Sequence, residues 1–485
     1  MKLTKNDYFC INNYIDMNRI QRTLSLVALA GGMIFSSASI YAQDQKGGID
    51  NAMLERIKEG YKDTPEERAL RNAISHNDIN KLAIRNGIEA GYDYHFSHEV
   101  PSKGITNQLS SGRCWLFTGL NVMRAKMIRE YNLGNFQLSQ NYNYFWDQLE
   151  KCNLFLQGII DTRKLPMEDR KVEWLFRNPL NDGGQFTGVS DNITKYGVVP
   201  ATVMPETYSS NNTSRMSMLL SLKLKEFGLE LRANPKARDK ELQARKEEML
   251  SFIYRFLVLN LGEPPVEFEW TRYDASGKPV DTKKYTPLSF YQEYIGADLK
   301  NNYIMLMNDP TREYYKVYEI EYDRHVYDGK NWLYINLPVE EIAKMAIASI
   351  KDSTMMYFSC DVGKFLDREN GYLDINYYDY GSLMGTEFGM DKRERVLTGA
   401  SGSSHAMTLM AVDLDENGNP KKWKVENSWG MTGHKGHLIM TNEWFNEYMF
   451  RLVVEKKYVP AEILELLKGK PVVLPPWDPM FANEE

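Results

Sequence analysis

Cysteine is scarce: four in 485 residues, too few for a disulfide-stapled scaffold. Histidine is nearly as scarce, at seven, so candidates for an imidazole base are few. There is no basic excess. The 59 Lys and Arg are outnumbered by 65 Asp and Glu, and the net charge of −6 argues against a protein built to coat nucleic acid. The chain also lacks internal repeats and low-complexity tracts, which excludes solenoids and arrays. What is abundant is apolar and aromatic surface, 43% and 12% of residues, enough for a large core. The length suits about three domain-sized units, or one fold carrying insertions.

The first 42 residues read as an address rather than as structure. Arg19 and Arg22 precede an uncharged block, residues 23–42, that ends in SSASIYA and is followed by the polar run Gln43-Asp44-Gln45-Lys46. A basic region, an apolar region and small residues before a polar start describe a secretory signal cut after Ala42, with Met17 a plausible true start. The block is nearly long enough to remain as a membrane anchor, but Gly31-Gly32 and Ser36-Ser37 interrupt it. The expectation is an exported protein, periplasmic or secreted, without stable membrane association after cleavage.

Residues 43–90 are charged and helix-prone and read as an N-terminal arm. From Cys114, Leu116, Leu120, Met123, Met127 and Tyr131 recur at helical spacing behind the turn-forming run Ser110-Ser111-Gly112-Arg113, which predicts a helix starting at or just before Cys114. Residues 91–213 form a helical half. Within 214–300, Met216, Leu219, Leu220, Leu224 and Phe227 mark one helix, and Leu242, Met249, Ile253, Phe256 and Leu257 a second; this hairpin reads as an insertion, either an inter-subunit arm or a lid. Over 301–460 the period drops to two. Strands are expected at 316–322, 332–337, 355–360, 406–413, 423–427 and 436–440. Residues 461–485 form a tail. The fold class is therefore α+β, a helical half and an antiparallel β half with the chemistry between them.

That chemistry centres on Gln108, Cys114, His405 and Asn427. A thiol at a helix amino terminus meets unpaired N–H groups and a dipole that favour the thiolate. His405 opens a strand that turns through Asn417-Gly418, which brings it opposite a residue near Gly430 and so close to Asn427. Asn427 would then orient the imidazole by accepting from its second nitrogen. Gln108 would offer its side-chain amide to an oxyanion beside the Cys114 N–H. The histidine pairs His95/His98 and His434/His437 lack a companion ligand set and read as loop residues; no metal or cofactor is called for. Cys152 and Cys360 are allowed a disulfide by an exported location but are not assigned one.

QLSSGRCWLF around Cys114, SSHAMTLMAV around His405 and VENSWG around Asn427 closely resemble the papain-like cysteine peptidases. NYNYFWDQLEK, NDGGQFTGVSDNITKYGVVP, PLSFYQEYIG, SCDVGK, GHKGHLIMTNEWFNEY and the terminal LPPWDPM narrow the resemblance to the bleomycin hydrolase and aminopeptidase C branch, over roughly residues 90–480. The resemblance implies a papain-like fold, Cys114 as nucleophile, His405 as base and then acid, Asn427 orienting His405, and Gln108 in the oxyanion hole. It implies that Trp429 shields the His–Asn contact at the substrate side and that the backbone of Gly183-Gly184 aligns the substrate strand, a task that suits residues without side chains. It further implies a tail that enters the cleft and restricts cleavage to amino-terminal residues of oligopeptides, with the terminal carboxylate of Glu485 near the substrate ammonium, and a homohexameric ring. The ending Phe481-Ala482-Asn483-Glu484-Glu485 departs from the small apolar one expected. An endopeptidase with an ungated cleft is the alternative; a nucleic-acid-binding role, known for some relatives, is disfavoured by the charge. Export is a further departure from relatives that are mainly cytosolic.

Overall fold

The computed structural model describes residues 47–481, so the signal segment and Glu485 lie outside the described residues. Among the described residues the chain divides into two compact units, with the boundary between Ser75 and His76. The first contributes the helix Asn51–Glu59, capped by Asp50, whose carboxylate accepts from the Met53 N–H at 2.7 Å, and most of the helix Pro65–His76. Neither helix buries a residue.

The second unit opens with helices and ends in a sheet. Its main helices are α1 (Cys114–Glu130), α2 (Gln140–Asp161), α3 (Phe186–Tyr196), α4 (Ser214–Arg232) and α5 (Asp239–Leu261). The amphipathic stripe expected for α1 understates its burial: every residue from Trp115 to Ala125 is buried. The reason is position, for α1 lies against α2 and α3 on one side and the sheet on the other, which leaves no solvent face over its first turns. Gly119 makes that possible, since a Cβ there would sit 2.6 Å from both Val189 methyls of α3.

Helices α4 and α5 form the expected hairpin, but it is seated on α2 along its length. Met216, Leu220, Leu224, Phe227 and Leu231 from one helix and Leu242, Met249, Ile253, Leu257 and Leu261 from the other join the core. Leu219 points outward instead, with Leu222, Leu229 and Leu259. After the helices comes a two-stranded ribbon, Phe268–Tyr273 with Pro279–Tyr285, that the sequence reading did not separate from the helical insertion. Phe268, Trp270 and Tyr285 turn towards the core, but most of Pro279–Tyr285 is exposed and polar, so the apolar alternation is too short to announce a strand pair.

The sheet has 12 strands. Its principal strands are β1 (Tyr303–Met307), β2 (Lys316–Ile320), β3 (Leu333–Asn336), β4 (Met356–Cys360), β5 (His405–Leu414), β6 (Pro420–Glu426), β7 (His437–Thr441), β8 (Met449–Glu455) and β9 (Val472–Leu474). They run in the order β9-β2-β3-β1-β8-β4-β5-β6-β7, mostly antiparallel. Each strand expected between 316 and 440 is present within a few residues of its expected bounds. Strand β5 is buried from His405 to Asp413 without alternation, because α1 covers one face and the helix Val339–Lys351 the other.

The β5–β6 hairpin pairs Thr408 with Glu426, and β4 pairs Cys360 with His405. Beyond Glu426 the chain leaves the ladder, and Gly430 donates its N–H to the Thr106 carbonyl rather than pairing with β5. The helical half thus carries the thiol, the sheet half carries the imidazole, and their seam forms the cavity described next.

Candidate active site

Cys114 is the first residue of α1 and is partly exposed. The Arg113 guanidinium, itself fully buried, fixes the chain just ahead of it: Nε donates to Ser111 Oγ at 3.0 Å, and the group pairs with Glu206 at 2.9 Å and lies over the Phe117 and Tyr144 rings. Burial pushes the Cys114 thiol up, and backbone N–H groups of Ala406, Trp115 and Cys114 act in the opposite direction. These donors are the free amides expected at a helix start, with one from β5 added.

Across the seam, His405 is 6% exposed. Its Nε2 donates to Asn427 Oδ1 at 2.8 Å, which leaves Nδ1 for a proton from elsewhere. Burial lowers its pKa to about 4, with the Asn427 bond a partial offset. Trp429 stacks on the imidazole, ring centres 4.7 Å apart, and Arg368 sits over the indole at 4.9 Å. Burial thus disfavours either charged form on its own. Charging either alone in this low-dielectric seam is unfavourable, whereas moving a proton from Sγ to the imidazole creates both charges together.

Gln108, Cys114, Gly183, Gly184 and His405 line one cavity of about 230 Å³, joined by Tyr357, Ser359 and Arg451 from the sheet. Asn427 lies behind His405, and Trp429 covers the imidazole rather than lining the cavity.

Sequence reasoning passed over several supports. Ser428 donates from Oγ to Gln108 Oε1 at 2.6 Å and accepts the Gln108 N–H on its carbonyl at 2.8 Å, so it sets which way the amide faces. One Gln108 amide hydrogen goes to the Ser111 carbonyl at 2.6 Å, leaving the second for a ligand. The next residue, Leu109, has φ 50, a conformation that costs a leucine roughly 1–2 kcal/mol and that the turn around Gln108 imposes. Asp182 is a second support. It accepts from Tyr144 Oη at 2.7 Å, Ser217 Oγ at 3.0 Å and the Gly112 N–H at 3.3 Å, and its carbonyl accepts from Trp115 Nε1 at 2.7 Å. The Asn181–Gly184 loop is thereby tied to the first turn of α1. The signals were present, since Ser428 and Asp182 stand inside the motifs VENSWG and NDGG, but no spacing rule singles them out.

Behind Gly184 lies a buried charge cluster. Lys151 donates to the Gly183 carbonyl at 2.6 Å and pairs with Asp147 at 3.0 Å; Asp147 accepts from His325 Nδ1 at 2.5 Å. Burial acts to raise the Asp147 pKa, yet Lys151 and His325 more than reverse that and hold it below the usual carboxylate range. A Cβ on Gly184 would come within 2.3 Å of the His325 ring, so only glycine fits there.

The tail comes close to this cavity. Strand β9 pairs parallel with β2, Asp478 pairs with Arg312, and Arg170 sits over the Trp477 ring at 4.4 Å. Arg451, a cavity-lining residue, donates to the Met480 carbonyl at 3.0 Å and lies 4.6 Å from the centre of the Phe481 ring.

Of the remaining sequence suspects, His434 stacks on Tyr94 at 3.9 Å and His437 Nδ1 contacts the Lys435 carbonyl. Among the described residues there is no group of three or more potential metal ligands, and no helix is long and apolar enough to cross a membrane. Cys152 and Cys360 are free thiols in separate apolar clusters.

Residues 48–481 match the model of the Peptidase C1-like family. Human bleomycin hydrolase is 38% identical over 451 residues, covering 90% of this chain and 99% of that protein. Aminopeptidase C of Lactococcus lactis subsp. cremoris is 38% identical over 440 residues, with the same shares covered. The crystal structure of PepW from Lactobacillus rhamnosis HN001 superposes with a TM-score of 0.86 at 38% identity, over 89% of this chain and 98% of that one. An α+β fold divided between helices and an open sheet, a thiol and an imidazole facing one cavity at their seam, and these likenesses over nearly the whole described chain lead to one assignment: the chain belongs to the Peptidase C1-like family, in its bleomycin hydrolase and aminopeptidase C branch, and is a cysteine-type peptidase of papain-like fold.

Proposed function

We propose that the protein is an exported cysteine aminopeptidase that removes amino-terminal residues from oligopeptides. The observation that carries this reading is the pairing of one cavity holding Gln108, Cys114 and His405 with a tail whose Met480 and Phe481 are held by Arg451 of that same cavity. A tail so placed blocks the acyl side of the cleft beyond the first residue or two. The relatives named aminopeptidase C and aminopeptidase W support the same specificity.

In the reaction, His405 takes the Cys114 proton on its free nitrogen while Sγ attacks the peptide carbonyl carbon. The carbonyl oxygen becomes an oxyanion, received by the spare Gln108 amide hydrogen and the N–H groups at the start of α1. Collapse breaks the C–N bond, His405 returns its proton to the departing amine, and a thioester remains on Cys114. Water, deprotonated by His405, then attacks the thioester; the acid leaves and the thiol is restored. Asn427 holds the imidazole ring plane throughout, and Trp429 keeps water from the His405–Asn427 bond. No step calls on a metal or cofactor.

Export rests on the charged and apolar pattern of residues 1–42. Assembly into a ring, implied by the resemblance, is supported by Leu219, Leu222, Leu229 and Leu259, which leave an apolar outer face on the α4–α5 hairpin. Light scattering of the purified protein tests it.

The activity test is hydrolysis of matched fluorogenic dipeptides, one with a free amino group and one blocked, under reducing conditions and with Cys114→Ala as control. Cleavage of the free peptide alone, abolished in the variant, is the expected result. Efficient cleavage of the blocked peptide would make the protein an endopeptidase with an ungated cleft.

A further inference from the structure

A second cavity, of about 150 Å³, adjoins the catalytic one and shares Gly183 and Gly184 with it. Leu154, Trp174, Leu180, Tyr322, Pro476 and Phe481 give it apolar walls, and Lys151, Asp323 and His325 make up a polar end. Two of those three polar groups already have partners. Lys151 is taken up by Asp147 and the Asn181 and Gly183 carbonyls, and His325 by Asp147.

Asp323 differs. Its Oδ2 is buried and accepts no hydrogen bond. Arg451, His325 and Lys151 act to lower its pKa, and burial nevertheless outweighs them and pushes the Asp323 carboxyl up. Arg451 directs hydrogen bonding to the Met480 carbonyl and its face to Phe481. A buried carboxylate oxygen without a donor, at the end of an apolar pocket, is the arrangement that receives a cation carried on a hydrocarbon stem. An apolar cavity of about 150 Å³ holds a benzene molecule, so four methylenes and an ammonium fit in it.

We propose that Asp323 is a specificity residue that holds a cationic group of the substrate on the acyl side of the scissile bond, and that peptides beginning with Lys or Arg are the favoured substrate class. The inference rests on the aminopeptidase reading for its place in the reaction, but not for the existence of the cation site. An alkylammonium or guanidinium is the common chemistry. It can come from a basic side chain, whose stem the apolar walls suit, or from the α-ammonium.

The test compares lysyl and norleucyl fluorogenic substrates, both with free amino groups, on the wild type, Asp323→Asn and Asp323→Leu. Norleucine keeps the stem and lacks the charge. The wild type is expected to show a lysyl-to-norleucyl ratio of kcat/KM of about ten or more, falling to near one in both variants. The rate of Cys114 alkylation by iodoacetamide, measured alongside, reports whether each variant retains a formed active site. A ratio unchanged by Asp323→Asn overturns the proposal. An equal loss on both substrates, with alkylation retained, assigns the held cation as the α-ammonium. Should the wild type cleave neither substrate in a Cys114-dependent way, the aminopeptidase reading fails on its own. The cation site is then decided by binding to Cys114→Ser, read by tryptophan fluorescence, of lysinamide, norleucinamide and Nα-acetyl-lysinamide. Tighter binding of both lysine compounds, lost in Asp323→Asn, supports the site, and equal binding of all three overturns it.

Discussion

His405 and His325 stand on either side of Gly184, 6% and 5% exposed, each with one ring nitrogen bonded to a side-chain oxygen. The oxygen on His405 belongs to an amide, Asn427; the one on His325 belongs to a carboxylate, Asp147, that is also paired with Lys151. The amide fixes a ring plane without fixing a charge, which suits the proposed role of His405 in taking up and returning a proton. The Asp147–Lys151 pair places permanent charges beside His325, and the three side chains brace the backbone of the Asn181–Gly184 loop. One buried imidazole faces a neutral amide and the catalytic cavity, the other a carboxylate in a braced cluster. The difference lies in the partner, not in depth of burial.

The largest expected effect separates the two outright. His405→Ala should lower kcat/KM by at least about a thousandfold, as loss of a base in a thiol or hydroxyl triad does. His325→Ala should act mainly through KM, by about tenfold or less. Steady-state kinetics on a free-amine peptide checks both, and a comparable fall in kcat for the two variants would break the comparison.

Next is the charge cluster. Lys151→Met leaves the Asp147 carboxylate buried without its main counter-charge and should cost about 3–5 kcal/mol. Asp147→Asn combined with Lys151→Met removes both charges and should recover most of that loss. Denaturant titration of the three proteins measures it; equal destabilisation by the single and double variants would show that the cluster does not act as a pair.

Asn427 offers the sharpest version. Asn427→Ala should lower kcat by about ten- to a hundredfold through loss of ring orientation. Asn427→Asp gives His405 the kind of partner His325 has. The imidazole is competent as a base only when neutral, and burial lowers its pKa to about 4, so activity in the wild type should persist to well below pH 6. A carboxylate at 427 favours the imidazolium and raises that pKa, which moves the acid limb of kcat/KM to higher pH. An unmoved limb would mean that another group sets it.

The smallest effect concerns the oxyanion side. Ser428→Ala frees the Gln108 amide to rotate and should lower kcat a few-fold with little change in KM.

Much of this site was legible in the sequence because its chemistry is carried by rare residues. With seven histidines and four cysteines, a thiol at a helix start and an imidazole at a strand start stand out, and the strands that carry them are apolar enough to declare themselves. Gly183-Gly184 was singled out only through the family resemblance, and the tight approach of His325 to Gly184 was not visible in the sequence. The second cluster was not legible. Asp147, Lys151 and His325 are scattered over 178 positions, and Asp and Lys are common enough that no local pattern separates a buried pair from a solvated helix face. The ribbon at 268–285 escaped for a different reason, because only Phe268, Trp270 and Tyr285 turn inward and so short an alternation leaves little periodic trace. The full burial of α1 was hidden as well, since a helix start rich in Trp, Leu and Phe reads alike whether one face or all are covered.

The place of β9 in the sheet has a consequence for how the enzyme comes into being. Residues 472–481 leave the ribosome after every other described residue, yet they pair with β2 and bring Phe481 to the cavity wall. A chain cut before residue 472 keeps its thiol, its imidazole and the strands that carry them, but loses β9 and the Phe481 side of that wall. On the proposed aminopeptidase reading, such a cut would leave reactivity in place and remove selectivity, so the order in which a protease trims the molecule would decide which of the two it loses first.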